Sequence, residues 1–203
     1  MMISREQLKS AESAVKSFHV NDHSGHGWDH IIRVRNLSLK IAHIEGIENL
    51  HLIELLSLLH DAGDDKLHES KQGAEFFLRN IISELGMNEA EQSWLLNELK
   101  SISFRNRHIY TGTIESKIVS DADKLDAIGA IGIGRAFTYG GANGVKLHSQ
   151  KRDESTVISH FDEKLLQLKD QMHTKTAYKI AVERDRFLTL FKDQFLNEWN
   201  GKK

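Results

Sequence analysis

The sequence predicts an all-α fold, and three observations carry that expectation. Apolar residues recur at helical spacing, as in Leu52, Leu55, Leu56 and Leu59, which share one face of a helix. The 203 residues contain no proline, where average usage of about 5% would supply roughly ten, so helices can run without interruption. Fourteen glycines serve instead as stops, notably Gly46, Gly86 and the pair Gly140 and Gly141.

The elements follow in order. Ser4 can cap a first helix with Gln7 completing a capping box, and that helix should run to about Phe18. The polar stretch from Asn21 to Gly27 is a loop that leads into a helix carrying His30 and ending near Gly46. Asn49 can cap the leucine-rich helix, which ends abruptly in His60 and Asp61. Residues Ala62 to Glu69 lack an apolar period and read as a loop, followed by helices from Ser70 to Leu85 and from Glu89 to Ile102. Ser103 to Gly112, with two arginines, a histidine and two aromatic residues, is a candidate substrate loop. From Ile114 one helix carries Asp123 and continues through Ile128, Ile131 and Ile133, with Gly129, Gly132 and Gly134 letting backbones approach. Gly140 to Asp153 is a loop, and two amphipathic helices, about Ser155 to Met172 and about Thr174 to Trp199, close the chain. No repeat or linker divides it, and the length suits one domain burying about 70% of its unfolded surface, so a single domain over 1–203 is expected.

Composition narrows the function. Hydrophobic residues at 39% with 28% charged describe a globular chain, and no run approaches the ~18 apolar residues of a membrane span. A net charge of −2 with no basic tract argues against a long nucleic-acid footprint, while leaving room for a local pocket for one phosphate chain. The absence of cysteine removes disulfides, zinc-finger and iron–sulfur sites, so any metal must be held by nitrogen and oxygen. With an N-terminus unlike a signal peptide, a cytoplasmic setting is expected.

The end of the leucine-rich helix is where the chemistry concentrates. An imidazole and a carboxylate placed at the inner end of a buried helix would cost several kcal/mol without partners, and a metal ion or other cation is the usual remedy. His30, within Trp28-Asp29-His30-Ile31-Ile32-Arg33-Val34, and Asp123, within Asp121-Ala122-Asp123-Lys124-Leu125-Asp126, are the candidate companions, both on otherwise apolar helical segments.

His30, the His60-Asp61 doublet and a distant Asp123, with these flanks, resemble the HD-domain metal-dependent phosphohydrolase superfamily, and in particular its small bacterial nucleotide-hydrolysing branch. The resemblance covers roughly residues 20 to 200. It implies a helical bundle of HD type with the metal site in its core, in which His30, His60, Asp61 and Asp123 hold one divalent ion per chain. Such a ligand set suits manganese, iron, magnesium or cobalt, with water completing the coordination and one water as nucleophile.

Asp64, Asp65, Lys124 and Arg33 are carried by the same resemblance, whereas His26 and the candidate loop are read from their positions in the sequence. Asp64 and Asp65, four and five positions after His60, resemble the acidic pair that orients or deprotonates the attacking water; a solvated loop is the plain alternative. Lys124 and Arg33 resemble phosphate-contacting positions, each with an acid nearby, Asp126 or Asp29, that would make it a surface partner instead. His26, four residues before His30, shares its face if the helix begins early, and could donate a proton to the leaving oxygen or take a second metal; in its glycine-flanked loop a plain surface histidine is the alternative. In the candidate loop Phe104 could stack on a base and Arg105 or Arg107 reach phosphate, with an ordinary connecting loop as the alternative. His51, His68, His148 and His173 receive no role, and His160 with Lys164 reads as ordinary amphipathic helix.

The expected activity is hydrolysis of a small nucleotide, with nucleoside triphosphate going to monophosphate and pyrophosphate as the favoured substrate class. A 5′-nucleotide phosphomonoesterase is the near alternative. A non-catalytic nucleotide-binding module is disfavoured by the intact ligand set, and a di-iron oxygenase by the shortage of additional histidines beyond His26.

Overall fold

Ser4 starts the first helix as its sequence suggests. Its side chain accepts from the Gln7 backbone N–H while the Gln7 side chain accepts from the Ser4 N–H, and α1 (Arg5–His19) follows. The structure, a computed structural model, describes residues 1–20, 25–102, 111–151 and 154–202, apart from the Lys66 side chain. Among these residues there are nine α-helices, two short 3-10 segments and no strand, so the fold is all-α. Asn21 to Ser24 of the first loop and Ser103 to Tyr110 of the candidate substrate loop lie outside the described residues.

Contacts divide the chain into two compact units, one of Met1–Asp22 with His26–Ala122 and one of His23–Gly25 with Asp123–Lys203. The first is built on α2 (Trp28–Glu45) and α3 (Leu50–Leu59), which pack extensively on each other, with α1 also against α3. In α3 seven of ten residues are buried, Leu52, Ile53, Leu55, Leu56, Ser57, Leu58 and Leu59, so it is apolar almost all round and serves as the core of its unit. Each fully buried leucine contributes about 1.5–3 kcal/mol. Asn49 stands at the N-cap position of α3, but its side chain makes no capping hydrogen bond.

Two further helices complete this unit as predicted. α4 (Lys71–Glu84) is capped by Ser70, whose hydroxyl accepts from Gly73 N at 3.1 Å, and α5 (Glu89–Ile102) has the predicted bounds. Buried Glu98 on α5 ties down the start of α6 (Ile114–Asp126): its Oε2 accepts from Thr113 N at 2.9 Å, from Thr113 Oγ1 at 2.8 Å and from the Ser116 hydroxyl. A carboxylate beside a helix N-terminus also meets the positive end of the helix dipole.

The second unit departs from the sequence reading at three places. The expected single helix from Ile114 is two: α6 stops at Asp126, and α7 (Gly129–Ala142) begins after an extended Ile128 with Gly129 at φ +74°, a left-handed conformation that favours glycine. Gly132 explains how tightly the break is folded, because a Cβ there would lie 2.2 Å from the Ala127 carbonyl oxygen. Gly140 and Gly141 do not stop α7, which runs through them to Ala142; a Cβ on Gly140 would sit 2.4 Å from Val157, so the residue allows α8 to pack against α7. The expected helix Ser155 to Met172 is α8 (Val157–Glu163) followed by a 3-10 helix (Leu165–Gln171), with the break at Lys164, φ −138°, ψ −56°. α9 (Lys175–Trp199) then packs on α7 around Phe137, Phe161, Phe191 and Phe195. No helix among the described residues is long and apolar enough to cross a membrane.

Candidate metal centre

α3 delivers His60 as its C-cap residue and Asp61 immediately after, while His30 stands in the first turn of α2, the helix packed against α3. The carbonyl end of α3 carries partial negative charge, which favours a cation next to it. All three side chains are withdrawn from solvent, with relative exposures of 0% for His30, 1% for His60 and 14% for Asp61.

Their donor atoms converge. His30 Nε2 and His60 Nε2 are 3.2 Å apart, His30 Nε2 lies 3.3 Å from Asp61 Oδ2, and His60 Nε2 lies 3.5 Å from Asp61 Oδ1. Ligands about 2.1 Å from a common ion are separated by about 3.0 Å at right angles and about 3.4 Å at tetrahedral angles. The observed separations are those of the edges of a coordination polyhedron, and the three residues form a group able to hold a metal ion.

Hydrogen bonding prepares the same atoms. His60 Nδ1–H donates to the Ser57 carbonyl at 2.8 Å, which in the neutral ring leaves the Nε2 lone pair facing the cluster. The Ser57 hydroxyl in turn donates to the Ile53 carbonyl at 2.8 Å, inside the buried helix. Asp61 Oδ2 is buried and, among the described residues, has no hydrogen-bond partner, with His30 approaching it at 3.3 Å. An orphaned carboxylate oxygen facing two imidazole nitrogens is a donor set that fits a divalent cation. Burial by itself would push the Asp61 carboxyl up, but His60 and then His30, with His26 behind them, hold it well below the usual carboxylate range.

The other expected residues are placed as follows. Asp123 is half-buried on α6 and belongs to the second unit. Asp64 and Asp65 are half-buried in the turn that follows Asp61, where Asp64 N donates to the Asp61 carbonyl at 3.0 Å and Asp65 opens a 3-10 turn, Asp65–Leu67. His26 lies outside α2, whose N-cap is Gly27, so it does not share a helical face with His30; its ring nevertheless stands edge-on to His30 at 6.0 Å. Arg33 is half-buried on α2. Lys124 is no surface charge: it is buried, and its ammonium donates to His173 Nε2 at 3.3 Å. Phe104, Arg105 and Arg107 lie outside the described residues.

Three histidines without an assigned role hold structure together. His68 stacks on Phe18 at 4.6 Å, and its Nε2–H donates to the Ala62 carbonyl at 2.9 Å, closing the turn that contains Asp64 and Asp65. His19, buried, donates from Nδ1 to the His26 carbonyl at 2.8 Å and so fixes the approach to α2. His51 donates from Nδ1 to the Ile3 carbonyl at 2.7 Å. The first two partners lie within seven residues, but polar residues flanking a loop carry no direction in the sequence.

A model of the HD domain family matches residues 27–128, half of the chain, including the His30 and His60-Asp61 motifs and Asp123. The chain belongs to the HD domain family. HD domains are metal-dependent, and among the described residues His30, His60 and Asp61 form a group that could hold such an ion. A Bacillus subtilis protein, YpgQ, is 36% identical over 97% of each chain. Its crystal structure in complex with ADP superposes with a TM-score of 0.76, covering 97% of this chain and 100% of that one. A Lactobacillus plantarum structure gives a TM-score of 0.87 at 32% identity over 98% of this chain and 100% of its own. A Bacillus thuringiensis protein described as an HD-superfamily hydrolase gives 0.73 at 38% identity over 97% and 98%.

Proposed function

We propose that this HD-family chain is a metal-dependent phosphohydrolase of small nucleotides, cleaving nucleoside triphosphates to monophosphate and pyrophosphate in the cytoplasm. The observation that carries the reading is the His30, His60 and Asp61 cluster with its buried, unpartnered Asp61 Oδ2. The ADP bound by YpgQ supports a nucleotide as the ligand class. The family match spans the boundary after Ala122, which supports treating residues 1–203 as one HD-type domain.

In this reading His30, His60, Asp61 and Asp123 hold one divalent ion, manganese, iron, magnesium or cobalt. Such an ion lowers the pKa of a coordinated water and polarises phosphoryl oxygens. Asp61 contributes a carboxylate that stays ionised, and His60 a lone pair aimed by Ser57. Asp64 or Asp65 orients the attacking water and accepts its proton as the bond from the α-phosphorus to the bridging oxygen breaks. Lys124 and Arg33 neutralise phosphate oxygens, and His26 gives a proton to the leaving pyrophosphate.

A panel of nucleoside mono-, di- and triphosphates with each divalent metal, products separated by chromatography, tests this. Monophosphate with pyrophosphate is the expected product pair, chelator should stop the reaction, and manganese or cobalt should restore it without thiol. Orthophosphate released from a 5′-nucleotide would establish the phosphomonoesterase alternative, and turnover by metal-stripped protein would overturn both.

A further inference from the structure

The turn that bears Asp64 and Asp65 is closed on itself and clamped by two helices. Within it Asp64 N donates to the Asp61 carbonyl at 3.0 Å, and Leu67 N donates to the Asp64 carbonyl at 3.0 Å. Across its base the half-buried His68 ring donates from Nε2 to the carbonyl of fully buried Ala62 at 2.9 Å. A carbonyl oxygen only accepts, so Nε2 carries the proton and the direction of the bond is fixed. The bond ties the residue after Asp61 to one six positions further on, with Asp64 and Asp65 between them.

The donor itself is mounted from outside the turn. His68 stacks on Phe18 of α1 at 4.6 Å and 16°, Phe77 of α4 stands 5.4 Å from it, and Phe18 and Phe77 meet at 4.6 Å. A Cβ on Gly63 would lie 2.9 Å from Leu78 Cδ2, so the turn also rests directly on α4. A ring held by two helices thus sets where the backbone of the turn stands, whatever the carboxylates on it meet. Misplacing a reacting group by about 1 Å can cost on the order of a hundredfold in rate, so such a mounting bears on chemistry as well as on folding. We propose that His68 is a positioning residue for the turn bearing Asp64 and Asp65, fixing where its carboxylate meets the attacking water. The inference rests on the reading of Asp64 or Asp65 as the group that orients that water.

Two substitutions in the full-length, manganese-loaded protein separate the hydrogen bond from the ring. His68→Gln keeps an N–H at the reach of Nε2 and gives up the stack; His68→Phe keeps the ring and gives up the donor. Turnover should follow the donor: kcat for ATP about tenfold lower in His68→Phe, within about twofold of wild type in His68→Gln, and KM unchanged in both. Amide hydrogen exchange at Asp64 and Leu67 reads the same latch without turnover, and should quicken in His68→Phe but not in His68→Gln. Manganese affinity should be equal in all three proteins. Wild-type kcat in His68→Phe, or equal losses in the two variants, would overturn the positioning role, as would a loss of manganese affinity that matches the loss of kcat. If neither Asp64→Asn nor Asp65→Asn lowers kcat, the reading of that pair fails, an outcome told apart from failure of His68 by the exchange difference, which it leaves standing.

Discussion

Two carboxylates in this protein, half-buried Asp61 and buried Asp126, are treated in opposite ways, and the contrast separates a site from a strut. Asp126, at the end of α6, is 3% exposed, and its Oδ2 accepts from Arg135 Nη1 at 3.0 Å. Arg135 also donates from Nε to the Gly25 carbonyl at 2.8 Å, and Arg184 donates to the adjacent Leu125 carbonyl. Burial lowers the pKa of the Arg184 guanidinium, and Asp126 offsets part of that. Here the permanent cations are supplied by the chain itself. Among the described residues the charged-capable groups against Asp61 are imidazoles, and one of its oxygens is buried and unpartnered. Its positive partner is expected from solution, which makes the cluster a binding site rather than a cross-brace.

The largest expected effect comes from removing the carboxylate. Asp61→Ala should abolish turnover in a metal-replete assay while the helical circular dichroism stays that of the wild type. Activity retained by this variant would erase the distinction just drawn.

Arg135→Ala probes the other half. It removes the guanidinium paired with Asp126, and breaking a buried pair from one side costs roughly 3–5 kcal/mol. The variant should unfold at markedly lower urea, whereas activity per folded molecule should persist. A loss of turnover without a loss of stability would mean that Asp126 belongs to the chemistry.

Added metal should act on one cluster and not the other. At a hundredfold excess over its dissociation constant, an ion that binds only the folded state stabilises by about 2.7 kcal/mol. Manganese should therefore raise the melting temperature of wild type and of Arg135→Ala alike, and leave Asp61→Ala unmoved. Equal shifts in all three proteins would place the ion elsewhere.

Much of this was legible in the sequence, for reasons that differ by element. Ser4 with Gln7, and the bounds Glu89 to Ile102, are local signals read within a single turn or period. The His60-Asp61 doublet showed because ionisable groups at the end of a buried leucine face need a remedy wherever the chain goes next. The break between α6 and α7 was hidden by Ile128, Ile131 and Ile133, which continue a helical period across it. The 3-10 helix escaped notice since Leu165 and Leu168 satisfy a period of 3 as well as 3.6 over so short a span. The pairings of Asp126 with Arg135, of Glu98 with Thr113 and Ser116, and of Lys124 with His173 depend on which helices come together, and nothing local specifies that.

The smallest effect belongs to a third kind of pair, Lys169 with Asp185, nearer to solvent, with 27% and 16% side-chain exposure and a 3.0 Å contact. Hydrogen bonding and attraction from Asp185 raise the Lys169 ammonium above its ordinary value. A raised folded-state pKa means that the stabilisation is fully present below the unfolded value and fades as pH climbs through the folded one. Lys169→Ala should therefore melt slightly below wild type at neutral pH, within the small range of exposed ion pairs, and the gap should close only in strongly alkaline solution. Salt should narrow the same gap at neutral pH, since a pair open to water is screened. The Arg135→Ala gap should not narrow with salt, because its pair is largely shielded from water. A Lys169→Ala gap that is large and indifferent to both pH and salt would show that packing of the lysine stem, and not charge, holds the 3-10 helix to α9.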